Sequence, residues 1–74
     1  LTEAEAWEQI DAWLKAGHRI VWDKRWLSYW TLYLTPAGEP FPLEVRSSDH
    51  DEYRVIDCVL RMRRLLAARD AQGK

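Results

Sequence analysis

The sequence predicts a small α+β domain of two layers, ordered α-β-β-β-α: a three-stranded antiparallel meander with two helices on one face. Three observations carry that expectation. Apolar residues recur at helical spacing near both ends of the chain, and they alternate at strand spacing in the middle. Turn-forming stretches separate the segments. The length of 74 residues is enough for one domain, 1–74, and no more.

The first helix is expected from about Glu3 to Ala16. Thr2 stands at a capping position with Glu5 three residues on, the pattern of a capping box. Trp7, Ile10 and Leu14 then follow at helical spacing, with Ala6 and Trp13 beside them, and Asp11 and Lys15 form a favourable i,i+4 pair. Gly17 ends the helix, because glycine enters the left-handed conformation cheaply. His18 follows that stop and helps to finish the helix.

"RIVWD" is the first strand and "SYWTLYLT" the second, with Trp30, Leu32 and Leu34 on one side and Tyr29, Thr31, Tyr33 and Thr35 on the other. "PAGEP" is a turn. "FPLEVR" is the third strand, with Phe41, Leu43 and Val45 on one face and Pro42 restricting it to an edge. "SSDHDEY" opens the last helix, capped by Ser48 or Asp49 and expected from about Asp49 to Ala68. Val55, Val59, Met62 and Leu66 form its apolar stripe, flanked by Ile56, Cys58 and Leu65. Acidic residues at its start and arginines at its end suit the helix dipole.

Three of the five tryptophans, Trp22, Trp26 and Trp30, are spaced by four, which fits one helix face as well as one strand face. The β-branched and aromatic neighbours, and the charged "DKR" where a hairpin would bend, favour strands. Directly opposed residues share a face, so Ile20 and Trp22 join Trp30, Leu32 and Leu34 only across a loop of odd length. A five-residue loop, Asp23–Leu27, is preferred to a three-residue one, which would set Trp26 in a left-handed conformation. Trp22 and Trp30 then face the core and Trp26 is left outside. In the second hairpin, Leu34 is set against Phe41, Leu32 against Leu43 and Trp30 against Val45. The outer face carries Arg19, Val21, Tyr29, Thr31, Tyr33, Glu44 and Arg46.

Net charge is −1, which argues against a dedicated nucleic-acid or membrane-surface protein. A single cysteine, Cys58, precludes an internal disulfide and suits a reducing, cytoplasmic setting. Cys58 falls on the apolar side of the last helix and reads as an inert thiol. Neither His18 nor His50 has convergent partners, and the acidic "DHDE" reads as helix-start chemistry, so neither a metal nor a cofactor is expected. No nucleophile constellation or phosphate-cradling glycine loop appears, and an enzyme is not expected.

The element order resembles that of double-stranded-RNA-binding domains and of small toxins sharing that fold. Those RNA-binding domains begin their last helix with a basic cluster, whereas the matching stretch here is the acidic "SSDHDEY". The related toxins use a strand histidine, and neither His18 nor His50 lies in one. The resemblance therefore extends to element order and not to function.

What remains is a small, non-enzymatic protein-interaction module acting as an adaptor, inhibitor or accessory domain, of the kind phage or mobile elements encode. The expected binding residues are Trp26 as aromatic anchor, Lys24 and Arg25 as charge complement, and Tyr29 and Tyr33 as apolar platform. A homodimer through the sheet face or the last helix is a further expectation. The alternative is nucleic-acid binding through Arg54, Arg61, Arg64 and Arg69 on the last helix.

Overall fold

The computed structural model describes residues 1–73. It has the expected order: α1 (Glu3–Lys15), β1 (Arg19–Asp23), β2 (Thr31–Thr35), β3 (Leu43–Arg46), a short 3-10 turn (Asp51–Tyr53) and α2 (Arg54–Gln72). The strands form one antiparallel sheet in the order β1-β2-β3. Both helices cover the face that carries Ile20, Trp22, Leu32, Leu34, Leu43 and Val45.

Local chemistry explains the start and stop of α1. The Thr2 hydroxyl accepts from the Glu5 amide at 3.1 Å, and the Glu5 carboxylate accepts from the Thr2 amide at 2.9 Å. These bonds hold the Glu5 carboxyl below its ordinary range. Gly17 has φ +93°, and two bonds close the helix around it: His18 N–H to Trp13 C=O at 3.1 Å and Gly17 N–H to Leu14 C=O at 3.0 Å. This is a Schellman stop, which only a residue tolerant of positive φ completes without strain. Ala16 therefore caps α1 and is not part of it. The His18 ring then accepts the Ala37 amide at 2.9 Å, fastening the end of α1 to the β2–β3 turn.

The core consists of Ala6, Ile10 and Trp13 from α1, Leu32 and Leu34 from β2, and Val55, Cys58, Val59 and Met62 from α2. Leu32, Leu34, Val59, Cys58 and Met62 are fully buried. Trp13, placed beside the α1 stripe by the sequence, is the one indole in the core, while Trp7 and Leu14 lie half out.

Both hairpin registers differ from the expected ones by whole pleats. Trp22 faces Leu32 and Asp23 faces Thr31, so the first loop has seven residues, Lys24–Trp30, and Asp23 belongs to β1. The odd-length rule held, but it does not choose between five and seven. The longer loop sets Ile20 and Trp22 opposite Leu34 and Leu32, matching apolar residues throughout. A five-residue loop would have set Trp22 against Ser28. Ser28, Tyr29 and Trp30 consequently precede β2. Trp22 and Trp30 are half-buried and pack against the core from its rim, rather than lying inside it.

In the second hairpin Leu34 faces Leu43 and Leu32 faces Val45. Phe41 falls outside the sheet and is 76% exposed. β3 starts directly after Pro42, whose ring cannot donate to a ladder.

The last helix begins five residues later than expected and continues to Gln72. Neither Ser48 nor Asp49 caps it; its preceding residue, Tyr53, makes no side-chain cap bond. Asp57 instead reaches back, accepting from the Ser48 amide at 3.1 Å and from the Ser48 hydroxyl. Arg61, four residues on from Asp57, bonds the Arg46 carbonyl.

Candidate functional site

The loop Lys24–Trp30 is irregular in conformation yet fixed at three places. At its start, Asp23 and Arg25 form a fork: Nε donates to Oδ1 at 3.0 Å and one terminal nitrogen donates to Oδ2 at 2.8 Å. The Arg25 amide also donates to Oδ1 at 3.1 Å. Hydrogen bonds from the Arg25 side chain, then from its amide, lower the Asp23 pKa, and the same pairing raises that of Arg25. At its end, the Trp30 amide donates to the Ser47 hydroxyl at 2.9 Å, and the Trp30 carbonyl accepts the Ser47 amide at 2.9 Å. Cys58 Sγ also lies 3.6 Å from that carbonyl.

The third fixing point is the middle. Arg54, the first residue of α2, donates to the carbonyl of Leu27. Its side chain is only 13% exposed, pairs with Asp51 at 2.5 Å and lies over the Trp30 ring at 5.7 Å. The Lys24 ammonium also folds onto the same ring at 4.2 Å. Trp30 thus contacts two cations, with Trp22 edge-on at 5.9 Å and Trp7 against Trp22 at 5.9 Å. Attraction of a cation to an indole face is strongest where water is excluded, which suits Arg54 better than exposed Lys24.

This bracing holds an apolar tip out in solvent. Leu27 is 94% exposed and Trp26 is 55% exposed. The Trp26 ring stacks on Tyr29 at 6.3 Å with 22° between planes, and the Arg46 guanidinium lies 5.0 Å over Tyr29 from β3. The predicted residues Trp26, Tyr29, Lys24 and Arg25 therefore gather at one end of the sheet. Lys24 is turned back onto Trp22 and Trp30 rather than standing beside Trp26. Tyr33, half-buried on β2 opposite Val21 and Glu44, continues the same sheet face toward its middle. Leu27 and Arg46 complete the cluster and were missed as binding residues. The signal for Leu27 was an apolar residue next to Trp26 in a charged loop, hidden by taking Leu27 as the closing position of that loop.

The arginines of α2 are largely engaged within the fold. Arg54 holds the loop, Arg61 donates to the Arg46 carbonyl, and Arg69 pairs with Glu39 at 2.5 Å. Arg63 bonds Gln9 of α1 at 2.9 Å. Arg64 is exposed. The residues of the nucleic-acid alternative thus reach different parts of the domain rather than forming one free stripe.

Replacing Arg54 with methionine retains the aliphatic stem but removes the hold on Leu27 and the contact with Trp30. We expect a stability loss of about 1–2 kcal/mol by urea denaturation, since a charge-assisted bond and a partly desolvated cation–π contact are removed while exposed Asp51 is readily hydrated. Faster amide exchange at Leu27 and Ser28 should accompany it.

Cys58 is buried, and desolvation pushes its thiol from the ordinary 9.0 up to about 11. It is therefore neutral at physiological pH. The fold favours the protonated form, so this contribution is complete below about pH 9 and fades as pH rises toward about 11. Cys58→Ala should show a shallower fall in stability over that interval than the unaltered chain, measured by denaturation at fixed pH values.

Among the described residues no group of three or more His, Cys, Asp or Glu side chains is arranged to hold a metal ion, and no helix is long and apolar enough to cross a membrane. Comparison with protein-family models, with curated proteins and with solved structures found no match to the chain.

Proposed function

We propose that this domain is a non-enzymatic protein-interaction module, an adaptor, inhibitor or accessory domain working in the cytoplasm, and that the Lys24–Trp30 loop is its binding tip. The observation that carries the reading is the combination of exposure and restraint at that loop. Leu27 and Trp26 stand in solvent while their backbone is held by Asp23–Arg25, Arg54–Leu27 and Trp30–Ser47. An exposed apolar side chain on a slack loop loses affinity to ordering on binding, whereas a braced one has little left to lose. Tryptophan and tyrosine are the residue types that most often dominate interface energies.

The rim suggests the partner's chemistry. Arg25, next to Trp26 in the chain, is 80% exposed, and Arg46, which lies over Tyr29, is 61% exposed. A partner with an apolar pocket bordered by carboxylates fits this arrangement. Tyr33, on the central strand, extends the contact along the sheet face.

Affinity capture from host lysate, with and without nuclease, tests the reading. A co-purified protein that withstands nuclease and moderate salt supports it. Capture that disappears with nuclease and weakens steeply with salt would identify phosphate recognition and remove it.

A further inference from the structure

β1 lies at one edge of the sheet. The Ser47 amide donates to the Trp30 carbonyl at 2.9 Å, which makes 30 and 47 a bonded site and fixes the alternation along the ladder. Leu32 and Leu34 therefore direct their amides and carbonyls toward β3, and Thr31, Tyr33 and Thr35 direct theirs toward β1. The residues facing them, Asp23, Val21 and Arg19, return those bonds. Ile20 and Trp22 are left with N–H and C=O groups pointing outward, and among the described residues no strand lies against them.

The opposite edge is guarded. β3 has four residues, follows Pro40 and Pro42, and has the outward carbonyl of Arg46 capped by the Arg61 guanidinium. β1 carries none of these devices. Its sequence, Arg19-Ile20-Val21-Trp22-Asp23, is instead self-complementary when read antiparallel about Val21.

We infer that β1 pairs antiparallel with β1 of a second copy of this chain, about a twofold axis at Val21. In that pairing Ile20 meets the partner's Trp22, and their free amides and carbonyls exchange bonds on both sides of the axis. Val21, 61% exposed in the single domain, meets the partner's Val21. Arg19 meets the partner's Asp23, and the symmetry repeats the ion pair. These last pairs occupy non-hydrogen-bonded positions, where opposed side chains approach most closely. Asp23 already accepts three bonds from Arg25, two at Oδ1 and one at Oδ2, with its side chain 12% exposed, so Oδ2 is the atom with capacity left for the partner's Arg19.

The helix above supports the same edge. α1 turns Gln9 toward α2, where it accepts from Arg63 at 2.9 Å. Its opposite flank carries Trp7 and Leu14, 41% and 49% exposed, with Trp7 against Trp22 of β1. A twofold axis perpendicular to the sheet puts both α1 helices on one side and brings these flanks toward each other. The product is a continuous six-stranded sheet with the two Lys24–Trp30 tips at opposite ends, so self-pairing leaves the proposed binding loop free.

Sedimentation across a dilution series, together with amide exchange at low and high concentration, tests this directly. We expect a species of twice the 8.8 kDa chain mass and slower exchange of the Ile20 and Trp22 amides in the concentrated sample. Val21→Lys opposes two ammonium groups on the axis and should weaken association about a hundredfold or more, with an unchanged far-ultraviolet spectrum. Val21→Thr keeps a β-branched neutral residue and should still associate. A chain that stays monomeric at every concentration, association that survives Val21→Lys, or Ile20 and Trp22 amides indifferent to concentration would each overturn the inference.

Discussion

Leu32→Ala should lower stability by about 3–5 kcal/mol. Leu32 sits in the central strand with none of its surface exposed, flanked in register by Trp22 and Val45. Removing its isobutyl group empties space beneath both helices, and the strands on either side cannot close it without losing their own pairing. A domain of this size has only about 4–11 kcal/mol in total at typical values per residue. The thermal midpoint should therefore fall by roughly 15–30 °C. Phe41→Ala supplies the contrast, with an expected change within about 0.5 kcal/mol, because Phe41 lies in solvent beyond the end of β3. The pair of measurements reads the register of the second hairpin. If Phe41 faced Leu34, as the apolar pattern first suggested, its removal would be as damaging as that of Leu32.

That contrast locates the limit of what the sequence carries. Alternation fixes which side of a strand faces inward, and it did so correctly for Ile20, Trp22, Leu32, Leu34, Leu43 and Val45. It repeats every two residues, so a slip of two or four positions leaves the pattern intact and is decided by neighbours far along the chain. Arg54 stacking over Trp30 and Ser47 closing on its backbone are such neighbours, 24 and 17 positions away by number. Helix ends were legible where the signal was local, as in the Thr2–Glu5 box and the Gly17 stop. The start of α2 was not, because Ser48 and Asp57 bond each other instead of the open amides of the helix. The same distinction runs through the site. The exposure of Trp26 followed from hairpin geometry, whereas the arginines looked like a free basic stripe until their partners on other elements, Leu27, Arg46 and Glu39, were in view.

Trp26→Ala should separate binding from folding. The indole is more than half exposed, and its one aromatic neighbour, Tyr29, remains supported by the Arg46 guanidinium when it is gone. The stability loss should stay below about 1 kcal/mol, the usual worth of a single exposed aromatic pair. Partner affinity should fall by at least about 2 kcal/mol, or roughly thirtyfold, as for an aromatic anchor at the centre of an interface. Trp26→Phe should recover part of that loss by refilling the pocket without the indole N–H. Arg54→Met should weaken binding by a smaller factor through the loosened backbone while leaving every tip side chain in place. Titration calorimetry against the captured partner, alongside urea denaturation of each variant, distinguishes these outcomes. Equal losses of stability and affinity in Trp26→Ala would make the indole a structural prop and shift the binding surface to the sheet face around Tyr33. Undiminished affinity with undiminished stability would remove the tip from the interface altogether.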